Sequence, residues 1–328
     1  MSSLSLDTSG RLAILVVMGF ALIPMLTLDS FILSFLMLLV MYAALSIGWN
    51  ILGGYAGYQS FGHVAFLGVG GYTSVWLFTG FGIKPYLTAP LGALVAGLVA
   101  LLVGYPCLRL KGPYFALVTL IVALAVEIVV SNLPGLNAAS GIFLASPLES
   151  SVLSQALLYE LMVVVLAVTI AVAWYVEQSK YGLGLYTIRE DEEVASTQGI
   201  DTAQLKVNAF VVSAALAGLT GGIYAWFLGY VTPSPMFDVR ISILVVLIAL
   251  LGGTQSWVGP FLGAILLRVV DQVLVLQFGG QVAQIMYGLM LVIVILYLPQ
   301  GLYPHVREVV RSRLPPRIRT LGAGGESS

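Results

Sequence analysis

Apolar runs of about 20 residues recur along almost the whole chain, and they constrain the fold more than any other feature. Only 9% of the 328 residues are charged and 59% are hydrophobic, with a mean hydropathy of +1.01. An average soluble domain has about 25% charged residues, so most of the surface of this protein must face lipid. The composition therefore predicts an all-α fold, a polytopic membrane helix bundle.

The apolar runs predict about ten transmembrane or partly spanning helices, because each crossing takes about 20 residues. We expect the spans at Leu12–Leu28, Phe31–Leu52, Phe61–Thr79, Tyr86–Leu108, Tyr114–Leu133, Val152–Val176, Val207–Tyr230, Ile241–Leu251, Trp257–Leu276 and Gln281–Leu298. The run Ile241–Leu251 is too short to cross a bilayer unaided. We therefore expect it to be one half of a broken helix.

Lysine and arginine lie near particular span ends and predict the orientation. Arginines recur in the C-terminal tail after Pro304, and Lys180, Arg189 and Lys206 lie between two of the spans. Cytoplasmic loops carry the excess of these residues, so both regions are predicted to be cytoplasmic. An even number of crossings makes the N-terminus cytoplasmic as well. The predicted domains are a transmembrane domain at 1–304, which includes a polar segment at 177–206, and a basic, partly disordered cytoplasmic tail at 305–328.

Two glycine-rich motifs interrupt the apolar runs: LGGYAGYQSFGHVAFLG from Leu52 and LGGTQSWVGPFLG from Leu251. Each contains Leu-Gly-Gly, then Gln-Ser-aromatic, then Phe-Leu-Gly. Repeats in transporters place interrupted helices near the membrane midplane, where freed backbone groups and polar side chains face a substrate. The candidates to line such a translocation path are Tyr55, Gln59, Ser60, His63, Thr254, Gln255 and Ser256. The alternative is a pair of ordinary glycine-rich turns, and for His63 a buried hydrogen-bonding role is favoured.

The polar segment Glu177–Lys206 is the one long charged stretch between spans. The acids Glu190–Glu193 suit the first turn of a short helix, Gly199 suits its end, and Asp201 suits the N-cap of the next helix. An apolar face would let this short helix lie in a groove on another protein; a solvated loop is the alternative. The candidates for coupling to a partner are Arg189, Glu190, Asp191, Glu192, Glu193, Val194, Ala195 and Gly199.

Small residues recur one helical turn apart in two of the predicted spans. Ala214, Gly218 and Gly222 form one stripe, and Gly92, Ala96 and Ala100 form another. Helices in lipid associate through close backbone approach, so both stripes are predicted to be helix contacts.

The chain lacks the motifs that bind nucleotides or catalytic metals. It contains no G-x-x-x-x-G-K-[ST] loop, no H-E-x-x-H pair and no cysteine-rich site. We therefore expect no cofactor in this chain and no ATPase activity of its own, and a net charge of −1 gives no sign of nucleic-acid binding. Intramembrane ionisable residues are few, with Arg268 and Asp271 spaced to pair on one helix face.

Four stretches in order resemble a known family: WNILGGYAGYQSFGHVAFLGVGGYTS, GYPCLRLKGPYFALVTL, GLGLYTIREDEEVASTQGIDTAQLKVNAFVVSAALAGLTGGIYAW and LIALLGGTQSWVGPFLGA. Together they look like the membrane permease subunits of bacterial branched-chain amino-acid ABC importers, and the LivM-like member is the closer match. The resemblance runs from about Trp49 to Gly301. One departure is GLNAASGIF at Gly135–Phe143, where many relatives have a Gly-Gly-rich stretch.

The resemblance implies a transport subunit that works by alternating access in the bacterial cytoplasmic membrane. It implies a second permease subunit, more often a homologue than a second copy of this chain. It also implies two cytoplasmic subunits that bind ATP and magnesium, and an extracytoplasmic substrate-binding protein. The segment Arg189–Gly199 would be the coupling helix seated on the ATPase. The implied substrate is a branched-chain amino acid or a related small solute, since relatives also carry urea, amides and aromatic acids; an autonomous carrier or channel is the alternative.

Overall fold

The computed structural model describes residues 8–26, 29–133, 140–144 and 151–279, with a few further positions up to 302. The described residues form helices and two short strands. The helices are α1 (Thr8–Ala21), α2 (Ile23–Leu26), α3 (Ser30–Gly53), α4 (His63–Phe81), α5 (Pro85–Cys107), α6 (Pro113–Asn132), α7 (Ser151–Gln178), α8 (Lys180–Glu190), α9 (Glu192–Thr197), α10 (Thr202–Leu228), α11 (Pro233–Met236), α12 (Val239–Gly252) and α13 (Val258–Phe278). The strands are β1 (Ile142–Phe143) and β2 (Tyr230–Val231).

The predicted polytopic helical bundle is confirmed. Within the described part of the chain, 8 helical stretches are long and apolar enough to cross a membrane, counting α11 and α12 together as Pro233–Gly252. The first predicted span corresponds to the shorter helix α1, and the last, Gln281–Leu298, falls almost entirely outside the described residues. The prediction of about ten spans is therefore approximate.

The predicted half-helix Ile241–Leu251 lies within α12. At 1.5 Å per residue, α12 is about 21 Å long and shorter than the hydrocarbon core of about 30 Å. Phe237 and Asp238 separate it from α11, and the Asp238 carboxylate accepts a hydrogen bond from Arg240 N at 2.9 Å as its N-cap. The expected broken helix is present, and the break lies on the N-terminal side of α12.

The connections between helices gather at two ends of the bundle. We call the end that carries residues 177–206 the proximal end, and the opposite end the distal end. The connections after α3, α5 and α12 lie at the proximal end, where they contact the polar segment. At the distal end β1 pairs antiparallel with β2, and Leu144 N donates to Gly229 O at 2.8 Å. This alternation of ends agrees with the crossing order predicted from the sequence.

Helix α10 lies at the centre and packs on α3, α4, α5 and α7. Its contact with α4 and α5 depends on glycine. A Cβ atom on Gly70 of α4 would lie 2.0 Å from the main-chain oxygen of Gly218 in α10, and one on Gly92 of α5 would lie 2.6 Å from Gly70 O. A Cβ on Gly222 would lie 2.7 Å from Ala89 Cα. The two small-residue stripes predicted from the sequence are thus confirmed as helix contacts.

Replacing Gly70 by alanine is expected to destabilise the bundle by about 1–3 kcal/mol, because the added methyl group forces α4 and α10 apart. The matched control is Gly80→Ala on the same helix, since no atom lies within 4 Å of a Cβ at Gly80. The control should be neutral or more stable by up to about 1 kcal/mol, from the higher helix propensity of alanine. Thermal unfolding of the two solubilised variants measures the difference, and equal melting temperatures would contradict the packing described.

Candidate coupling and translocation site

The polar segment folds into two short helices, α8 and α9, that meet at Asp191. The Asp191 carboxylate accepts hydrogen bonds from Glu193 N at 2.8 Å and Val194 N at 3.1 Å, and so caps α9. Gly199 follows α9 with φ of +82°, and the Asp201 carboxylate accepts from Gln204 N at 3.0 Å to cap α10. The short helix and its caps are therefore confirmed, with one difference in bounds.

The difference is that α9 begins at Glu192 and not directly after Arg189. Asp191 is extended, with φ of −157°, so Arg189 and Glu190 form the last residues of α8. Two glutamates remain in the first turn of α9, where negative charge complements the helix dipole. The sequence showed the run of acids but not which acid would leave the helical conformation.

Arg189 connects the polar segment to both glycine-rich motifs. Its Nη1 donates to Gly54 O at 2.8 Å and to Thr254 Oγ1 at 3.4 Å. A guanidinium is suited to this because it carries several donors in one plane. Helix α8 is thereby attached to the ends of α3 and α12 at once.

A tyrosine on the same helix makes a second attachment. Tyr186 OH donates to Gln255 O at 2.9 Å, and the ring of Tyr186 lies 5.3 Å from that of Tyr55. Burial, followed by the charge of Glu177, raises the pKa of Tyr186, so its hydroxyl stays protonated and able to donate. The two motifs that the sequence relates by similarity are in this way joined through α8.

Glu177, at the end of α7, joins the two motifs from another side. Its Oε2 accepts from Tyr55 OH at 3.4 Å and from Ser256 Oγ at 3.2 Å. Asn50 Nδ2 donates to Ser256 O at 3.4 Å and completes the contact between α3 and the second motif. Burial, then the Glu177 carboxylate, raise the pKa of Tyr55 well above its usual range, which keeps the hydroxyl a donor.

A buried ion pair holds α9 against the bundle. Lys206 of α10 is only 5% exposed, and its Nζ lies 2.5 Å from Glu192 Oε1. Tyr58 OH donates to Glu192 Oε2 at 2.8 Å and lies 3.1 Å from Lys206 Nζ, while Lys111 Nζ lies 3.4 Å from Glu192 Oε2. Burial alone would raise the pKa of Glu192, but the hydrogen bonds from Lys206 and Tyr58, with the charges of both lysines, lower it.

The predicted path residues divide into two groups. Tyr55, Thr254, Gln255 and Ser256 lie at the proximal end in the network around α8. Ser60 is buried, with its carbonyl oxygen accepting from Trp49 Nε1 at 2.8 Å and its hydroxyl accepting from Gly62 N at 3.2 Å. Gln59 is exposed, and neither its side chain nor its main chain hydrogen-bonds to any residue that the structure describes.

His63 is a buried hydrogen-bonding residue in this structure. Its Nε2 lies 2.7 Å from Ser213 Oγ, and Ser213 Oγ lies 2.6 Å from Gly48 O. The single hydroxyl proton of Ser213 is needed for Gly48 O, so Nε2 must carry the proton that His63 donates. This supports the interpretation favoured from the sequence.

The segment 54–62 runs into the bundle before α4 begins. Phe61 N donates to Thr119 Oγ1 at 3.1 Å and Val64 N donates to Ser242 Oγ at 2.9 Å. Thr119 lies about 9 Å along α6 from its proximal end, and Ser242 lies about 15 Å from the proximal end of α12. Hydroxyl groups from α6 and α12 therefore satisfy N–H groups just before and at the start of α4, inside the bundle. The first motif is therefore irregular between α3 and α4, and its part in a translocation path stays a prediction.

Several residues of the network were not predicted: Tyr58, Glu177, Tyr186 and Lys206. In the sequence Lys206 indicates only the orientation of the chain, and Tyr58 lies between two predicted path residues. Arg268 and Asp271 do pair as expected, with Nη1 2.6 Å from Oδ2, and the guanidinium lies 5.4 Å from the centre of the Tyr42 ring. Over the described part of the chain, no group of three or more His, Cys, Asp or Glu residues could hold a metal ion.

A family model described as "Branched-chain amino acid transport system / permease component" matches residues 31–295. The chain belongs to this family. The permease is thus a multi-pass membrane protein and a transport component of an ABC importer, not an enzyme. Family membership implies further permease, ATPase and binding-protein subunits in the same transporter.

The permease is similar to curated proteins of branched-chain amino-acid transport systems. It is 29% identical to the high-affinity permease protein LivM of Salmonella typhimurium strain LT2 over 301 residues, which cover 83% of this chain and 70% of the relative. It is 28% identical to LivM of Escherichia coli K12, covering 84% and 70%. It is 26% identical to BraD of Pseudomonas aeruginosa, covering 82% and 94%. No solved structure matches this chain.

Proposed function

We propose that the permease moves a branched-chain amino acid, or a related small amphipathic solute, across the bacterial cytoplasmic membrane by alternating access. The named relatives support this substrate class. ATP and Mg²⁺ are bound by two separate cytoplasmic subunits, since the chain has no phosphate-binding loop. An extracytoplasmic protein delivers the solute, and the second permease subunit is a homologue of this chain.

The proximal end faces the cytoplasm in this proposal, together with both termini. Basic residues support the assignment, because cytoplasmic loops are enriched in lysine and arginine. Arg109, Lys111, Lys180 and Arg189 all lie in or beside the proximal connections. The polar segment is then positioned to meet a cytoplasmic ATPase subunit.

The attachment of α8 to both glycine-rich motifs is the observation that carries the coupling proposal. A displacement of the polar segment would pull on the ends of α3 and α12 through Arg189 and Tyr186. The proposed coupling residues therefore act in two ways. Arg189, Asp191 and Glu192 hold the segment through their hydrogen bonds and the ion pair, and Ala195 is buried. Glu190, Glu193, Val194 and Gly199 are exposed and available to the ATPase.

The proposed translocation path has two parts as well. Gln59 is exposed to the path, while Ser60 and His63 hold the wall behind it through their hydrogen bonds. Tyr55, Thr254, Gln255 and Ser256 connect that wall to the polar segment. Movement of the segment would change the width of the path at its proximal end.

Substituting Val194 tests the docking of α9. Its side chain is apolar and 47% exposed. Val194→Asp is expected to lower ATP-dependent uptake and solute-stimulated ATP hydrolysis by about tenfold or more, the scale of losing one well-packed interface residue. Both rates are measured in proteoliposomes that hold the complete transporter.

Val194→Ile is the matched control, because it keeps an apolar side chain of similar shape, and it should retain uptake. Membrane insertion of both variants is checked by the yield of solubilised subunit. Unchanged uptake in Val194→Asp would remove α9 as the docking element. Uptake by the permease without any ATPase subunit would overturn the proposed function itself.

A further inference from the structure

A cleft of about 730 Å³ opens between the segment 54–62, the first half of α6 and the start of α12. Its volume lies within the range of about 300–1,000 Å³ that is usual for small-molecule sites. The lining is mainly apolar and includes no charged side chain. The cleft-lining residues used in the argument below are Tyr58, Gln59, Phe61, Phe115, Leu117 and Ile243.

The unpaired polar groups of Gln59 limit what can occupy this cleft. It is exposed at the cleft wall, and neither its amide side chain nor its backbone hydrogen-bonds to a described residue. The backbone on either side of it is irregular and lies beside α6, inside the helical part of the bundle. Unpaired amide groups and irregular backbone are not tolerated against lipid, but they are tolerated against a water-filled cavity. The cleft therefore contains water or a polar solute and not lipid chains.

We propose that this cleft is a binding site for the transported solute and selects a small, net-neutral molecule with a branched aliphatic group. The aliphatic group packs against Phe61, Leu117 and Ile243, and the polar end hydrogen-bonds to the Gln59 amide and the neighbouring backbone. The absence of charged side chains among the cleft-lining residues disfavours solutes with a net charge. This inference rests on the proposed function and assigns it a place in the fold.

The same cleft is linked directly to α9. Tyr58 forms part of the cleft wall, and its hydroxyl donates to Glu192 Oε2 at 2.8 Å. Glu192 is the first residue of α9. A shift of α9 would therefore move Tyr58 and with it one wall of the cleft. Through this contact the ATPase could change the shape of the solute site.

Filling the cleft from α6 is the first test. Leu117→Trp places a large side chain in the cleft and should lower uptake of leucine by about tenfold or more. Ile121→Trp is the control on the same helix, since Ile121 is 62% exposed against 58% for Leu117 and does not line the cleft. The control should keep uptake within about twofold of the parent. Equal losses in the two variants, or no loss in either, would overturn the inference.

Access to the cleft from water is the second test. In a Cys107→Ala background, which removes the single cysteine, Ala116→Cys in the complete transporter places a thiol on the cleft wall without changing Gln59. This thiol should react with a small, uncharged, hydrophilic thiol reagent, and leucine should slow that reaction. Absence of labelling, or a disulfide to the neighbouring permease subunit, would overturn the inference by showing a cleft filled by lipid or by protein. Labelling that leucine leaves unchanged would overturn the assigned solute class.

The two proposals fail in different ways. If the parent transporter takes up leucine with ATP and Val194→Asp stops it, but the two tryptophan variants behave alike, the cleft is not the binding site and the proposed function stands. If the parent transporter takes up no branched-chain amino acid, the proposed substrate class is wrong, and leucine should then leave the labelling of Ala116→Cys unchanged.

Discussion

Arg189→Glu should reduce ATP-dependent uptake to background, because it removes the one side chain of α8 that hydrogen-bonds to both glycine-rich motifs. In the parent protein the guanidinium donates to Gly54 O and Thr254 Oγ1, and hydrogen bonds from a charged donor contribute about 1.5–3 kcal/mol each. A glutamate would place a carboxylate opposite the Gly54 carbonyl oxygen, which is repulsive. Helix α8 would then lose its hydrogen bond to the end of α3 and would be held to the second motif only through Tyr186.

We expect Arg189→Glu to lose transport coupled to ATP hydrolysis while the subunit is still inserted in the membrane at its normal yield. Uptake and solute-stimulated ATP hydrolysis are measured together in reconstituted transporters, after the yield of inserted subunit has been matched. Arg189→Lys should recover part of the activity, since an ammonium reaches one acceptor but does not present a planar pair of donors. Thr254→Val removes only the longer contact of 3.4 Å and should have a much smaller effect. Full activity in Arg189→Glu would show that this connection does not transmit the movement of the polar segment to the glycine-rich motifs.

Glu192→Ala should be the most destabilising single change in the polar segment, because it leaves the Lys206 ammonium buried without its counter-charge. Removing one partner of a buried ion pair costs about 3–5 kcal/mol. Lys206 is 5% exposed in the parent, so water would solvate its ammonium less well than the lost carboxylate does. Thermal unfolding of the solubilised subunit, followed by size-exclusion chromatography, measures the effect.

The stability of Lys206→Met is compared with that of Glu192→Ala. Methionine fills the same space without a charge, and Glu192 keeps Lys111 and partial exposure, with 19% of its side chain accessible. The single variant should therefore be much milder than Glu192→Ala, and the double variant should recover most of the lost stability, since contacting residues are not additive. If Glu192→Ala alone unfolded at the parent temperature, the ion pair would not be holding α9.

The ion pair also predicts a pH dependence. The folded-state pKa of Glu192 is lowered, so its contribution to stability is complete above the ordinary glutamate pKa of about 4.3. That contribution is lost only as the pH falls through the lowered value. The difference in melting temperature between the parent and Lys206→Met should be constant from about pH 8 to pH 5 and should shrink at lower pH. A difference that vanished near neutral pH would contradict the assignment.

The local features of the fold could be predicted from the sequence because they depend on neighbouring residues. Runs of apolar residues gave most of the spans, the shortness of Ile241–Leu251 gave the broken helix, and Asp201 was recognised as a cap. The small-residue stripes were also recognisable, since residues one turn apart share a helix face. None of these inferences needed a partner from a distant part of the chain.

The features that escaped prediction are contacts between distant parts of the chain. Arg189 and Gly54 are 135 residues apart, and Tyr58 and Glu192 are 134 apart. Lys206 is buried in a position that the positive-inside rule describes as a cytoplasmic loop, because Glu192, Tyr58 and Leu108 O surround its ammonium. Even the start of α4 depends on hydroxyl groups from α6 and α12, which no local pattern reveals.

A sequence repeat whose copies are joined by one helix gives a simple mechanical arrangement. The first motif begins the wall of the cleft, the second ends the broken helix, and α8 contacts both through Arg189 and Tyr186. A force applied to α9 reaches the two motifs together. In this proposal the ATPase moves both glycine-rich motifs by moving the polar segment.

The most direct measurement is a photocrosslink from Val194. A cysteine at this position in a Cys107→Ala background, labelled with a short photoreactive thiol reagent in the assembled transporter, should form an adduct with the ATPase subunit that mass spectrometry identifies. An adduct with the extracytoplasmic binding protein, or labelling of the cysteine only from the outer side of the membrane, would contradict the account.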